Sequence, residues 1–268
     1  MNQSIYQIYY NEETQSKGLP GFIPLDNTES LRPDWFEFWV ILNFLRNNVL
    51  EDNTFYGFLS PRFYEKTGFN AEFVMGTIKA HADLADVFLF SPSQDQLCYF
   101  LNPFEQGEFW HPGLIRNAQD FVDLHGIETD LSTLVTDTQT SVFSNYIIAK
   151  KEFWMAWREI AEQYFAFVES DEKYQIKTKY GLTQNHYAMK TFIQERLATL
   201  VLANGNFRVS CTHQSLTGPF FTGPIPADPK NRRLLEVCDL MKSKYREKSD
   251  LEYLKMYWKI RADVTIHK

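Results

Sequence analysis

The sequence predicts an α/β fold, with a mostly parallel central sheet flanked by helices and a helical C-terminal extension. Two observations carry this. Strand-like and helix-like segments alternate as far as Phe90, the order that places parallel strands under helical crossovers. Two charged segments of helical pattern, Asn231–Lys248 and Asp250–Arg261, then close the chain. The 268 residues fit one large domain over residues 1–225, with an appendage over 226–268 packed on it.

Ile5–Tyr10 reads as the first strand, rich in β-branched and aromatic residues. The Gly-, Pro- and Asn-rich stretch KGLPGFIPLDN then reads as a loop. Pro33 suits the first turn of a helix, and Trp35, Phe38, Trp39, Leu42 and Leu45 recur at helical spacing behind it. Phe55–Leu59 is the second strand and ends in the loop SPRFYEKTG. Asn70 caps a helix to about Ala82, and Asp86–Phe90 is the third strand. Residues 102–137 read as mainly helical, restarting at His111-Pro112-Gly113; Val142–Ala149 follows as a strand and Glu152–Val168 as an amphipathic helix. A helix over Tyr187–Ala203 stops at Asn204-Gly205, Phe207–Ser210 is a last short strand, and TGPFFTGPIPADP is a loop.

Hydrophobic residues make up 44% of the chain and charged residues 23%, a globular balance. Aromatic residues reach 16%, which implies a large core, with stacking surfaces for sugars or bases as the functional alternative. A net charge of −7 without a basic block excludes a nucleic-acid partner. A small phosphate ligand needs only one or two local cations and stays open. Cys98, Cys211 and Cys238 form no CxxC pair, so reduced thiols in a cytoplasmic compartment are expected, and no zinc site. The opening MNQSIYQIYYNEE lacks the pattern of a secretory signal. No stretch is apolar for the ~18 residues a membrane span needs, which leaves peripheral membrane association open. No P-loop, GxGxxG or GxSxG pattern is present.

In open α/β sheets ligands bind beyond the carboxyl ends of the strands, so the loops after Tyr10, Leu59 and Phe90 are expected to line one crevice. In the second loop Arg62 and Lys66 suit a diphosphate, Arg62 the better because its fork matches phosphate oxygens; the plain alternative is a solvated loop in which Lys66 pairs with Glu65. On a helical wheel Arg196 falls amid Met189, Phe192, Ile193, Leu197 and Leu200. A guanidinium on a buried face must meet a carboxylate, carbonyls or a bound anion. Glu195, at the edge of that stripe, is either a crevice carboxylate or a surface residue. His111, beside Phe109-Trp110, reads as a general base, a phosphate donor or a packed core group.

Several segments in order resemble bacterial glycosyltransferases of surface polysaccharide synthesis, of the GT-A type. They are IYQIYY, PLDN at Pro24–Asn27, YGFLSPRFYEKTG, DVFLFSP at Asp86–Pro92, EQGEFWHPG, VFSNYIIAKKEFW and FIQERLATLVL at Phe192–Leu202. The resemblance spans residues 4–210. It implies a GT-A-like fold and transfer of a sugar, a hexose by expectation, from a nucleotide-sugar donor to a glycan or lipid-linked acceptor of capsule or lipopolysaccharide, at the cytoplasmic face. It places Asp26, Asn27, Arg62, Lys66, Ser91, Asn145 and Arg196 on the donor side, and Glu195, His111 and Asp95 as candidates for the chemistry. One departure stands out. The loop after the third strand, Ser91-Pro92-Ser93-Gln94-Asp95, lacks the Asp-x-Asp that holds Mn²⁺ or Mg²⁺ in metal-dependent members, so no metal ligand is assigned and metal use is open. That same departure motivates the alternative of a non-catalytic glycan-assembly partner with a degenerate GT-A fold.

Overall fold

In the computed structural model, which describes residues 1–175, 177–179, 186–212 and 224–267, strand β1 (Asn2–Tyr9) leads into a one-turn helix α1 (Glu12–Ser16). Strand β2 (Ile23–Asp26) follows. A 3₁₀ turn at Pro33–Trp35 opens helix α2 (Phe36–Asn47). Next come β3 (Thr54–Leu59), α3 (Phe63–Thr67), α4 (Ala71–His81) and β4 (Val87–Leu89). Helices α5 (Gln94–Tyr99), α6 (Pro103–Trp110) and α7 (Leu114–Leu124) precede β5 (Ile147–Ala149) and the long α8 (Lys151–Glu169). A small hairpin, β6 (Lys177–Lys179) with β7 (His186–Ala188), leads to α9 (Lys190–Gln194), α10 (Leu197–Asn204) and β8 (Val209–Cys211). Helices α11 (Pro229–Lys248) and α12 (Leu251–Ala262) close the chain. Among the described residues no helix is long and apolar enough to cross a membrane.

Six strands form the central sheet in the order β2-β1-β3-β5-β4-β8. It is mixed, which corrects the mostly parallel sheet expected from sequence: β5 runs antiparallel to both of its neighbours. The reason is local. Tyr146 accepts from Phe90 N, so β5 starts at the sheet end where β4 stops, and the chain must run back. β2, expected as a loop, is a second correction. Pro24 argues against a central strand, but β2 is the edge strand, where a missing ladder N–H costs nothing. Of the predicted loop TGPFFTGPIPADP, residues 217–223 lie outside the described residues.

Side chains alternate across the sheet with a period of two. Tyr56 and Phe58 of β3 face the larger core with α2 and α8, and Phe55 and Leu59 face the smaller core with α3 and α4. Gly57 sits between them because a β-carbon there would stand 2.7 Å from Ile148. The sheet is thus covered on both faces, and its strand ends are left to build a site.

The predicted helix over Tyr187–Ala203 is broken. It opens as strand β7, and α9 and α10 part at Glu195-Arg196. In a continuous helix Arg196 N–H would donate to Phe192 O. Here the Arg196 guanidinium takes that carbonyl, and its N–H tightens onto Ile193 O at 2.9 Å. The break sets Glu195 at a corner facing outward.

Helices α11 and α12 seat on α5 and α6 through partnered polar groups. The fully buried Lys242 donates to Leu97 O (2.6 Å) and Phe100 O (2.7 Å), carbonyls at the end of α5. Arg261 pairs with Glu105 at 2.8 Å, and Tyr257 donates to Tyr99 O at 2.6 Å.

Candidate functional site

A cleft of about 730 Å³ opens at the carboxyl ends of β1, β2 and β3. Tyr10 follows β1, Asn27 follows β2, and Ser60, Pro61 and Arg62 follow β3. Pro33, Phe36 and Glu37, where α2 begins, and Thr191, Phe192 and Glu195, where α9 ends, form opposing walls. The cleft therefore lies where sheet topology places ligands. An ion pair with one buried partner ties the two walls together. Lys190, at the start of α9, is 2% exposed, sits 2.6 Å from Asp34 and lies over the Trp35 ring at 4.3 Å.

Four of the expected site residues meet here: Asn27, Arg62, Lys66 and Glu195. The two cations differ from expectation. Arg62, not Lys66, pairs with Glu65, at 2.6 and 3.0 Å on exposed side chains. Such a pair contributes little and opens readily. Lys66 is in no ion pair among the described residues; its ammonium lies 5.9 Å from the Tyr146 ring centre. The Tyr146 hydroxyl in turn lies 3.0 Å from Ser60 Oγ.

Glu195, in the α9 wall, is enclosed by protein yet its side chain is 37% accessible. That enclosure pushes its pKa up to about 7, opposed by Arg196 and Lys66 and reinforced by Glu37. Arg196 is 3% exposed and stands behind Glu195, with 4.0 Å between the charges. Its three nitrogens donate to Pro103 O (2.7 Å), Phe192 O and Gln106 Oε1. Gly107 makes the slot, since a β-carbon there would sit 2.8 Å from Arg196 Nε. Carbonyls, not a ligand anion, thus satisfy this guanidinium, and it positions Glu195.

The remaining candidates are not among the described residues lining the cleft. Asp26 accepts from Thr28 N and Oγ1, both at 2.8 Å, and lines a neighbouring groove. His111 is buried and stacks on the far side of Phe192, ring centres 3.7 Å apart. Ser91 is buried after β4, and Asn145 is half-buried before β5. Asp95 is 1% exposed on α5, and burial pushes its pKa up to about 7. Its Oδ2 has no hydrogen-bond partner among the described residues. A hard cation wants several oxygen ligands, and no group of three His, Cys, Asp or Glu gathers among the described residues. The described residues thus assemble no such ligand set.

The cleft also holds residues that sequence reasoning did not single out. Tyr10 bonds Glu37, and burial together with that carboxylate raises the phenol pKa. Phe36 has φ 47° and ψ −136°, values that suit a glycine at the first central position of a type II′ turn. A bulky residue there costs of order 1–3 kcal/mol and persists only where the surroundings hold it. Here Trp35 is fully buried and Asp34 is clamped by Lys190. The strained Phe36 ring meets Tyr187 of β7 edge-on, centroids 5.7 Å apart. No local pattern marks either ring, because the pair forms only when β7 folds over the start of α2.

Comparison of the chain with protein-family models, with curated proteins and with solved structures returns no match.

Proposed function

We propose that the chain is a glycosyltransferase of GT-A type that moves a sugar from a nucleotide-sugar donor to a glycan or lipid-linked acceptor, working on the cytoplasmic side in surface polysaccharide synthesis. The observation that carries this reading is one cleft that brings cations, a carboxylate of raised pKa and half-buried aromatic rings to the strand carboxyl ends. Lys66 and Arg62 suit a diphosphate, and the Phe36–Tyr187 pair suits a nucleobase or sugar face. In the reaction the acceptor hydroxyl oxygen bonds to the anomeric carbon. The bond from that carbon to the diphosphate oxygen breaks, and its electron pair leaves with the nucleoside diphosphate. Lys66 and Arg62 meet the developing charge. Glu195 takes the acceptor proton, for which a pKa of about 7 is well matched. His111 stacks on Phe192, and neither it nor Asp95 is among the described residues lining the cleft, so of the three candidates Glu195 is the favoured base.

Thermal shift against UDP, GDP and CMP, with and without Mn²⁺, tests the reading. At least one nucleotide is expected to raise Tm, and a folded protein that responds to none overturns it. The non-catalytic alternative is separated by turnover: hydrolysis or transfer of a nucleotide sugar that Glu195→Gln abolishes is incompatible with a scaffold.

A further inference from the structure

A second concavity, of about 670 Å³, adjoins the cleft on the outer side of β2. The two share Asn27, Thr28 and Ser30, so that segment forms a ridge between them. Their chemistry differs. The cleft is lined by Arg62 and Lys66, whereas no Lys, Arg or His is among the described residues lining the groove. Asp26 and Glu29 stand there instead, so an anionic ligand meets repulsion.

The exposed flank of α2 supplies a row of amides, Asn43, Asn47 and Asn48. Asn47 Nδ2 donates to Asn43 O (2.8 Å) and Oδ1 (3.1 Å), and Asn48 Nδ2 donates to Phe44 O (2.9 Å). Among the described residues no hydrogen bond engages the Asn43 amide nitrogen or the side-chain carbonyl oxygens of Asn47 and Asn48, which leaves them for a ligand. An amide row both donates and accepts, as sugar hydroxyls do. Beside it stands Trp39, its ring held by the Arg46 guanidinium at 5.2 Å and by Phe165 at 5.4 Å. A fixed aromatic edge next to amides suits the alternating C–H and O–H surface of a carbohydrate.

We propose that this groove binds an uncharged oligosaccharide and leads its terminal hydroxyl over the Asn27–Ser30 ridge toward Glu195. The proposal rests on the transferase reading above and names its acceptor class.

The test follows side-chain amide signals by NMR in the full chain, with maltotriose, cellotriose or tri-N-acetylchitotriose at about 10 mM and, separately, with UDP. At least one trisaccharide is expected to move the Asn43 and Asn47 signals, and UDP to leave them in place. The double variant Asn43→Leu, Asn47→Leu is expected to weaken that trisaccharide by roughly tenfold or more at an unchanged Tm, because both side chains are exposed. Groove signals that ignore all three trisaccharides, or that respond to UDP, overturn the proposal. So does undiminished binding to the double variant. Nucleotide binding without sugar binding defeats the groove alone; sugar binding at the groove without nucleotide binding supports the groove and defeats the transferase reading.

Discussion

At the seat of the C-terminal hairpin Lys242 is fully buried and donates to two backbone carbonyls, and Arg261 pairs with Glu105. In the cleft Lys66 is in no ion pair among the described residues, and the Arg196 charge stands 4.0 Å from Glu195. Both regions take charge out of bulk water. The seat resolves the cost internally, as packing requires, because an unpaired buried charge is strongly destabilising. The cleft leaves Lys66 and Glu195 facing open space, whereas at the seat burial also lowers the Lys242 pKa but two carbonyls hold its ammonium. Charge held by backbone carbonyls reads as structure and charge facing an open cleft as a candidate for function; a shifted pKa alone does not separate them, since burial shifts Lys242 and Arg196 as well. Arg196 and Glu195 put both cases side by side: neighbours in sequence, one is held by carbonyls and the other opens into the cleft.

This contrast makes predictions of graded size. The largest is Glu195→Gln, expected to lower turnover by about 10²–10⁴-fold, the range of a lost general base. In the same variant stability moves the other way. A carboxyl whose folded pKa is raised binds its proton more tightly in the native state. Stability therefore falls as pH rises from the unfolded value toward about 7. Glu195→Gln is expected to raise Tm at pH 8, with the gain gone below roughly pH 4.5; a lower Tm at pH 8 would place Glu195 with the seat rather than the cleft.

Lys242→Met tests the seat. It strands the Leu97 and Phe100 carbonyls and is expected to cost about 1–3 kcal/mol in urea unfolding, with nucleotide binding intact. Lys66→Met tests the cleft cation. Nucleoside diphosphate binding is expected to weaken by roughly tenfold, the lower end for a charge-assisted hydrogen bond. Because Lys66 holds the Glu195 pKa down, the acid limb of the kcat/KM profile is also expected to move to higher pH. An unmoved limb would uncouple the two groups. The smallest effect concerns Phe36. Phe36→Ala and Phe36→Gly both remove the ring and are expected to weaken nucleotide binding alike. Phe36→Gly, at home at φ 47°, is expected to be more stable than Phe36→Ala by about 1 kcal/mol.

Local pattern located these elements: helical apolar spacing gave α2 and α8, the Asn70 cap gave α4, charged helical segments gave α11 and α12, and short β-branched and aromatic runs gave β1, β3 and β4. It also put Arg196 on a buried face and required partners for it. The loops after β1 and β3 were legible as crevice linings for the same reason: strand ends mark where ligands go. What the sequence did not settle was which partner each charge would find. Arg62 and Lys66 look alike in SPRFYEKTG, and only the α3 turn assigns Glu65 to Arg62. Asp95 and His111 read as chemistry, yet tertiary packing buried one on α5 and set the other behind Phe192. The reversed β5, the edge strand that tolerates Pro24, and the meeting of Phe36 with Tyr187 depend on contacts far apart in the chain. Local pattern reports which face of an element is buried; only the folded chain decides what that face is buried against.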